Sequence, residues 1–205
     1  MRLCSTKNFI DFTDLTMKRF LSGLLLLSLL AACSGVPLRS LPQLMQLSGD
    51  ILETSPAEVM VALQVDARLV PPAGAVPLLI VKMTPSEPGA FEAIDRKLPL
   101  QVTTVAAAAV GLQAPPAGRS WLLYSMPATT QTELLRIQAL VRTLKASGKK
   151  GSLGLGVEQD SLAVTSPALA DTRWETWLQV KKSNGFFEVW SGTLTQLRKA
   201  AEKAK

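Results

Sequence analysis

The chain has 205 residues, of which 47% are hydrophobic and 5% aromatic, and its 22 Lys and Arg residues outnumber its 16 Asp and Glu residues. It contains two cysteines and no histidine. This excludes histidine-dependent zinc sites, Ser-His-Asp triads, Cys-His dyads and a disulfide scaffold. The apolar fraction is too high for a chain that is disordered throughout.

An apolar segment near the N-terminus has the order of features found in a secretory signal. Lys18 and Arg19 precede a leucine-rich stretch over 20–30, and small residues follow it. The stretch is shorter than the roughly 20 apolar residues that cross a bilayer. A buried core helix is the alternative, which the placement of basic residues on the N-terminal side alone disfavours.

The segment ends in Leu30-Ala31-Ala32-Cys33, which resembles the lipobox of bacterial lipoproteins. The resemblance covers Met17 to about Ser34. It implies that the Cys33 thiol receives a diacylglyceryl group, that the signal peptide 17–32 is removed, and that the new amine is acylated with a chain such as palmitate. Two or more acyl chains anchor a protein stably, because each buried CH₂ contributes about 0.8 kcal/mol.

The residues on either side of this signal refine the prediction. Residues 1–16 contain Asp11 and Asp14, which do not suit a signal, so we expect translation to begin at Met17; a long N-terminal region of the signal is the alternative. Ser34 follows Cys33 where an Asp would favour the inner membrane, so the resemblance implies the outer membrane of a Gram-negative host. Residues 33–40 then form a lipidated tether and 41–205 a single periplasmic domain.

The first half of this domain predicts short helices and several strands. Ser40 is expected to cap a helix that Ser48 and Gly49 end. Val59 to Val65 alternates between an apolar and a mixed face, as a strand does, whereas 76–83 is apolar on both faces, as a buried central strand is. The remaining segments are a weaker strand over 98–102, a short helix over the alanine-rich 105–110 and a strand over 121–124.

The second half predicts a long helix, two strands and a terminal helix. Thr130 to Glu133 has the spacing of a capping box, and Gly148 is expected to stop the helix that follows. The apolar positions of this helix are Leu134, Ile137, Val141 and Leu144. Strands are expected over 153–157 and 161–164, and a helix with a lysine-rich end over 193–205.

A hairpin is predicted between these segments, with strands over 173–182 and 186–191 joined by a two-residue Asn184-Gly185 turn. That turn would place Lys181 opposite Glu188, a favourable pair of charges. It would also place Trp177 and Trp190 together on the more polar face of the hairpin. The elements together indicate an α+β fold, with an antiparallel β-sheet packed against one long helix and a C-terminal helix; a β-sandwich is the alternative.

Catalytic motifs are incomplete in this sequence. Gly148-Lys149 lacks the leading glycine of a phosphate-binding loop, since position 143 is Thr, and Ser152 lacks the first glycine of a nucleophile elbow. Ser147 to Lys150 spells S-x-x-K, but it closes a helix and lacks the partner motifs. We therefore expect no cofactor and no metal. Asp66 and Asp95 are expected at turns or strand edges, although a carboxylate pair that hydrolyses glycans has no fixed spacing.

The sequence therefore predicts the cellular location of the protein more specifically than its activity. We expect a lipid-anchored envelope protein of the outer membrane that acts as a non-catalytic module binding an envelope protein or peptidoglycan, and not nucleic acid. An envelope hydrolase that uses carboxylates is the alternative. The candidate binding residues are Trp177, Trp190 and Lys181, because exposed indoles stack on sugar rings or anchor protein partners. The opposing interpretation is that the helix over 132–147 covers that face and buries both indoles.

Overall fold

The computed structural model describes residues 40–159, 161–162, 167–169, 171–193, 195–196 and 199. The signal segment, Cys33, the tether before Ser40, residues 163–164 and most of the expected C-terminal helix lie outside the described residues. Gly35–Lys205 forms one compact unit. Among the helices that the structure describes, none has the length and apolarity that a bilayer crossing requires.

The fold is α+β, with strands dominating, as the sequence predicts. In the described part of the chain, long α-helices span Leu41–Glu53 (α1) and Ala128–Ala146 (α2). The strands of the described chain are Met60–Asp66 (β1), Leu78–Pro85 (β2), Ile94–Pro99 (β3), Gln101–Val102 (β4), Arg119–Ser125 (β5), Gly151–Glu158 (β6), Arg173–Gln179 (β7) and Phe187–Thr193 (β8).

The strands form two antiparallel sheets. One has five strands in the order β4-β5-β1-β7-β8, and the other has three in the order β3-β2-β6. The main hydrophobic core draws on both sheets, since Val61 and Leu63 of β1 and Leu79 and Val81 of β2 belong to one buried cluster. Leu134 of α2 is also part of this cluster, so sheets and helix share one core.

Helix α2 carries the apolar face that its sequence predicts, but it starts earlier. Leu134, Ile137, Val141 and Leu144 are all buried. The expected capping box is wrong: the helix begins after Pro127, which is the N-cap residue and has extended backbone. The Thr130 hydroxyl donates to the carbonyl of Pro99 (2.8 Å) instead of capping.

Helix α1 continues through the residues that were expected to end it. The helix runs to Glu53, past Ser48 and Gly49, and Ser40 makes no side-chain cap bond. Leu47 and Ile51, one helical turn apart, are both buried, and this burial outweighs the roughly 1 kcal/mol that an internal glycine costs. The Gln138 amide of α2 donates to the carbonyls of Ile51 and Thr54, which ties the end of α1 to α2.

Two strand predictions need correction. The segment over 98–102 divides between two sheets, because β3 ends at Pro99 in one sheet and β4 begins at Gln101 in the other. Strand β2 is central, as predicted, but it is not buried on both faces: Leu79 and Val81 face the core whereas Lys82 is exposed. Ser161 and Leu162 form a turn rather than the start of a strand.

The hairpin forms with a different register from the expected one. Strands β7 and β8 pair Leu178 with Phe187 and Thr176 with Trp190, with a β-bulge between Thr176 and Trp177. The connection holds a 3₁₀ turn over Lys182–Asn184, so it is longer than a two-residue turn. Trp190 is therefore displaced by three positions from its expected partner Gln179, and an odd displacement transfers a side chain to the other face.

Tyr124 provides a spectroscopic test of this core. It is the single tyrosine of the chain and is buried in the main core. Burial disfavours the phenolate and raises the pKa of Tyr124 to about 12. Because the unfolded chain releases this proton near the ordinary value of about 10, we expect folding stability to fall as pH rises from about 10 to about 12.

Absorbance at 295 nm should therefore titrate with a midpoint near pH 12 while circular dichroism still reports folded protein. The Tyr124→Phe variant should show no such change. A midpoint near pH 10 in the folded protein would contradict the burial of this side chain.

Candidate functional site

The face of the five-stranded sheet that points away from the main core is the candidate site, and we call it the outer face. It is formed by alternate residues of β1, β5 and β7. These are Ala62, Gln64 and Asp66; Arg119, Trp121 and Leu123; and Arg173, Glu175 and Trp177. Ala62 and Leu123 are buried with Leu112 in a second hydrophobic cluster, separate from the main core.

The structure separates the tryptophans that the sequence paired. Trp177 lies half-buried in the second cluster on the outer face, whereas Trp190 packs against the main core on the opposite side of the sheet. The expectation that the two indoles share one face is therefore wrong, and the bulge after Thr176 is the reason. The cover over Trp177 is also different, since Ala107 and Val110 of a 3₁₀ turn pack there rather than the long helix.

Trp121 is the actual partner of Trp177. The two ring centroids are 6.0 Å apart and the ring planes are nearly perpendicular, an edge-to-face arrangement favoured by aromatic quadrupoles. These residues stand on β5 and β7, the strands on either side of β1, so the rings meet above β1. Ala62 lies directly opposite Trp177 in the ladder, and its small side chain leaves room for this contact.

Both indole N–H groups are satisfied within the chain. Trp121 Nε1 donates to the carbonyl of Gln113 (2.9 Å), and Trp177 Nε1 donates to a carboxylate oxygen of Glu175 (3.4 Å). These bonds fix the orientation of the rings, and each ring remains partly exposed. Partly exposed rings of fixed orientation can accept a flat apolar surface at little cost in side-chain entropy.

A charged cluster borders the tryptophan pair at the end of β1. The guanidinium of Arg119 donates to the carbonyls of Gln64 (2.7 Å) and Arg173 and lies 3.9 Å from Glu175. The ladder between β1 and β7 ends at Gln64 and Glu175, so this guanidinium takes the place of the next backbone hydrogen bond. Burial lowers the pKa of Arg119, while Glu175 opposes that shift.

Asp66 is held as a carboxylate by its neighbour Arg68. Arg68 donates its backbone N–H, Nε and Nη2 to the two carboxylate oxygens at 2.8–2.9 Å. These hydrogen bonds hold the pKa of Asp66 well below its usual range. A general acid in glycan hydrolysis needs a raised pKa, so Asp66 is unsuited to that role.

Asp95, the second aspartate considered in the sequence, lies away from the outer face. Asp95 is on β3, in the other sheet, and is paired with Lys82 (3.1 Å) on an exposed surface. In the part of the chain that the structure describes, no group of three or more Cys, Asp or Glu side chains is placed to hold a metal ion.

Lys181 serves a different contact from the one expected. Its Nζ donates to Asp50 Oδ1 of α1 (2.7 Å), and this hydrogen bond raises the pKa of Lys181. The backbone N–H of Lys182 donates to Glu58, whose carbonyl also accepts from Gln179. The pairing with Glu188 is wrong because Glu188 lies opposite Trp177 in the ladder. Lys181 thus joins the hairpin connection to α1 and does not form part of the outer face.

A scan against protein-family models and searches of curated proteins and of solved structures each returned no match. The function is therefore inferred from the geometry of the outer face and from the sequence.

The Arg119 contacts predict a measurable contribution to stability. The side chain is 15% exposed, and hydrogen bonds to a charged group contribute about 1.5–3 kcal/mol. We expect Arg119→Met to lower the free energy of unfolding in urea by about that amount. Arg136→Met is the matched control, since Arg136 is 75% exposed and exposed ion pairs contribute less than about 1 kcal/mol. Equal losses in the two variants would show that Arg119 does not close the ladder.

Proposed function

We propose that this chain is a lipoprotein of the bacterial outer membrane, acylated on Cys33, whose periplasmic domain is a non-catalytic binding or assembly module. The anchor rests on the lipobox-like sequence over 30–33 and the short apolar segment before it. The binding role rests on one observation, the pair of partly exposed tryptophans that is fixed above β1 on the outer face.

The outer face is suited to binding because it combines apolar and polar contacts. Trp121 and Trp177 offer aromatic surface, and Glu175 and Arg173 beside them offer hydrogen-bonding groups. Aromatic and arginine side chains are enriched at the centres of protein interfaces, and indoles also stack on sugar rings. An envelope protein and the glycan strands of peptidoglycan are thus the two partner classes that fit.

The hydrogen bonds from Arg68 make Asp66 unsuited to be the general acid of an envelope hydrolase. Glycan hydrolysis requires one carboxyl group that stays protonated near neutral pH, and the Arg68 contacts act in the opposite direction. We propose recognition as the role of the outer face because of its fixed tryptophan pair.

The anchor is tested by fatty-acid labelling in cells that produce the full chain. An alkyne analogue of palmitate should label the wild type and the Cys4→Ser variant equally, because Cys4 precedes the expected signal. The Cys33→Ser variant should lose the label completely. A free thiol at Cys33, or a mature chain that starts at another residue, would contradict the proposal when the protein is examined by mass spectrometry.

Binding at the outer face is tested with two probes. Peptidoglycan sacculi should co-sediment with the wild type if the ligand is glycan, and Trp177→Leu should weaken this binding at least tenfold, the effect of about 1.4 kcal/mol. Leu135→Ala is the control, since Leu135 is exposed on α2. If the ligand is a protein, a photo-crosslinking residue at position 173 should capture it in cells.

The crosslinker at position 173 reports on the border of the outer face, and the same crosslinker at position 136 on α2 is its control. The Arg173 and Arg136 side chains are 64% and 75% exposed, so both positions accept a large side chain. The absence of both sacculus binding and a position-specific adduct would contradict a binding role for the outer face.

A further inference from the structure

Strand β6 forms an edge of the three-stranded sheet. Among the described residues it pairs with β2 alone. Lys150 and Ser86 are opposite each other, and the N–H of Ser86 donates to the carbonyl of Lys150 (3.0 Å). Since hydrogen-bonded pairs alternate in an antiparallel ladder, the backbone groups of residues 151, 153, 155 and 157 point away from β2, towards the edge.

The core-facing side chains of β6 are less buried than those of the neighbouring strand β2. Leu79, Val81 and Met83 of β2 are at most 5% exposed, whereas the core-facing residues of β6 are only partly buried. Those residues are Leu153, Leu155 and Val157. A further strand beside β6 would therefore satisfy its backbone groups and bury these side chains together.

The sequence of β6 lacks the features that normally block pairing at an edge. Residues 151–157 contain no charged residue and no proline, although charges, proline and bulges are the usual protection. Gly154 and Gly156 face away from the core, and a Cβ at either position would meet only ordinary contacts at 3.8–3.9 Å. The described fold does not require these glycines, and glycine inside a strand often marks the approach of another backbone.

The ends of β6 carry opposite charges. Lys149 and Lys150 precede the strand and Glu158 ends it. An antiparallel strand of the same sequence, paired about Leu155, would place Glu158 of one copy opposite Ser152 and diagonal to Lys150 of the other. Glu158 also accepts a hydrogen bond from Lys97 of its own chain (2.7 Å). Such a pair centred on Leu155 would have Leu155 opposite itself, Gly154 opposite Gly156 and Leu153 opposite Val157.

We propose that two copies of this chain associate through antiparallel pairing of their β6 edges, centred on Leu155. The open backbone groups, the half-buried leucines and the complementary charges at the two ends carry the proposal. Leu155 then forms a hydrogen-bonded pair with its own copy, and the two three-stranded sheets become one continuous six-stranded sheet. The interface shares no residue with the outer face, so the proposal is independent of the proposed function.

Disulfide formation between introduced cysteines tests the register. Gly154→Cys and Gly156→Cys are made separately in the full chain with Cys4 and Cys33 replaced by serine, so that only the introduced thiol can react. Residues 154 and 156 of the two copies form a non-hydrogen-bonded pair with Cα atoms about 4.5 Å apart, within the range for a disulfide. Identical positions are diagonal neighbours at about 7–8 Å.

An equal mixture of the two variants under oxidising conditions should therefore give several-fold more disulfide-linked dimer than either variant alone. Both positions have room for a Cβ, so folding is retained. Equal crosslinking in all three samples, or none, would overturn the proposed pairing. Absence of crosslinking with a monomeric mass would mean that residues of the same chain cover β6.

The oligomeric state gives a second measurement. Leu155→Lys in the Cys4→Ser, Cys33→Ser chain would place two ammonium groups opposite each other, and we expect the dimer dissociation constant in detergent to rise at least tenfold by sedimentation. Leu135→Lys is the matched control, because Leu135 is exposed on α2, and it should leave the dimer unchanged. A wild-type chain that is monomeric at high micromolar concentration would overturn the proposal.

Discussion

Burial of β1 on both faces is the constraint on which the rest of this structure depends. Its odd-numbered residues, Val61, Leu63 and Val65, enter the main core, and Ala62 lies at the centre of a second cluster on the other side. Two flanking strands are hydrogen-bonded to β1, so its position determines where β5 and β7 lie. Because Ala62 is small, the indoles of Trp121 and Trp177 can meet above β1 instead of being separated by a side chain.

Local patterns in the sequence predict the elements of this fold well but not the way they pair. The apolar spacing of α2 and the alternation in β1 and β6 depend on near neighbours, and the structure confirms these elements. The register of β7 and β8 depends on a bulge after Thr176 and on a long connection, and neither leaves a clear local signal. One such irregularity is enough to place Trp190 against the main core instead of on the outer face.

The candidate site shows the same division. Trp177 could be proposed from sequence because it lies in a strand with polar alternate positions. Its partner Trp121 lies 56 positions earlier and becomes a neighbour only through the pairing of β5 and β7 with β1. Arg119 could not be recognised for the same reason, since the carbonyls that it binds belong to two other strands. The charge pattern of the hairpin predicts Glu188 as the partner of Lys181, whereas the actual partner, Asp50, belongs to α1.

The two proposed surfaces have a joint consequence if the chain is acylated on Cys33 as proposed. A dimer paired through β6 would carry two acylated cysteines and two outer faces. Two linked anchors leave the membrane together far more rarely than one, and two linked binding faces gain an effective concentration that neither has alone. Weak contact at a single tryptophan pair would then suffice for stable attachment to a repeating envelope polymer, since each dimer could engage it twice. The edge of the three-stranded sheet can pair while the outer face of the five-stranded sheet binds, because the two surfaces belong to different sheets.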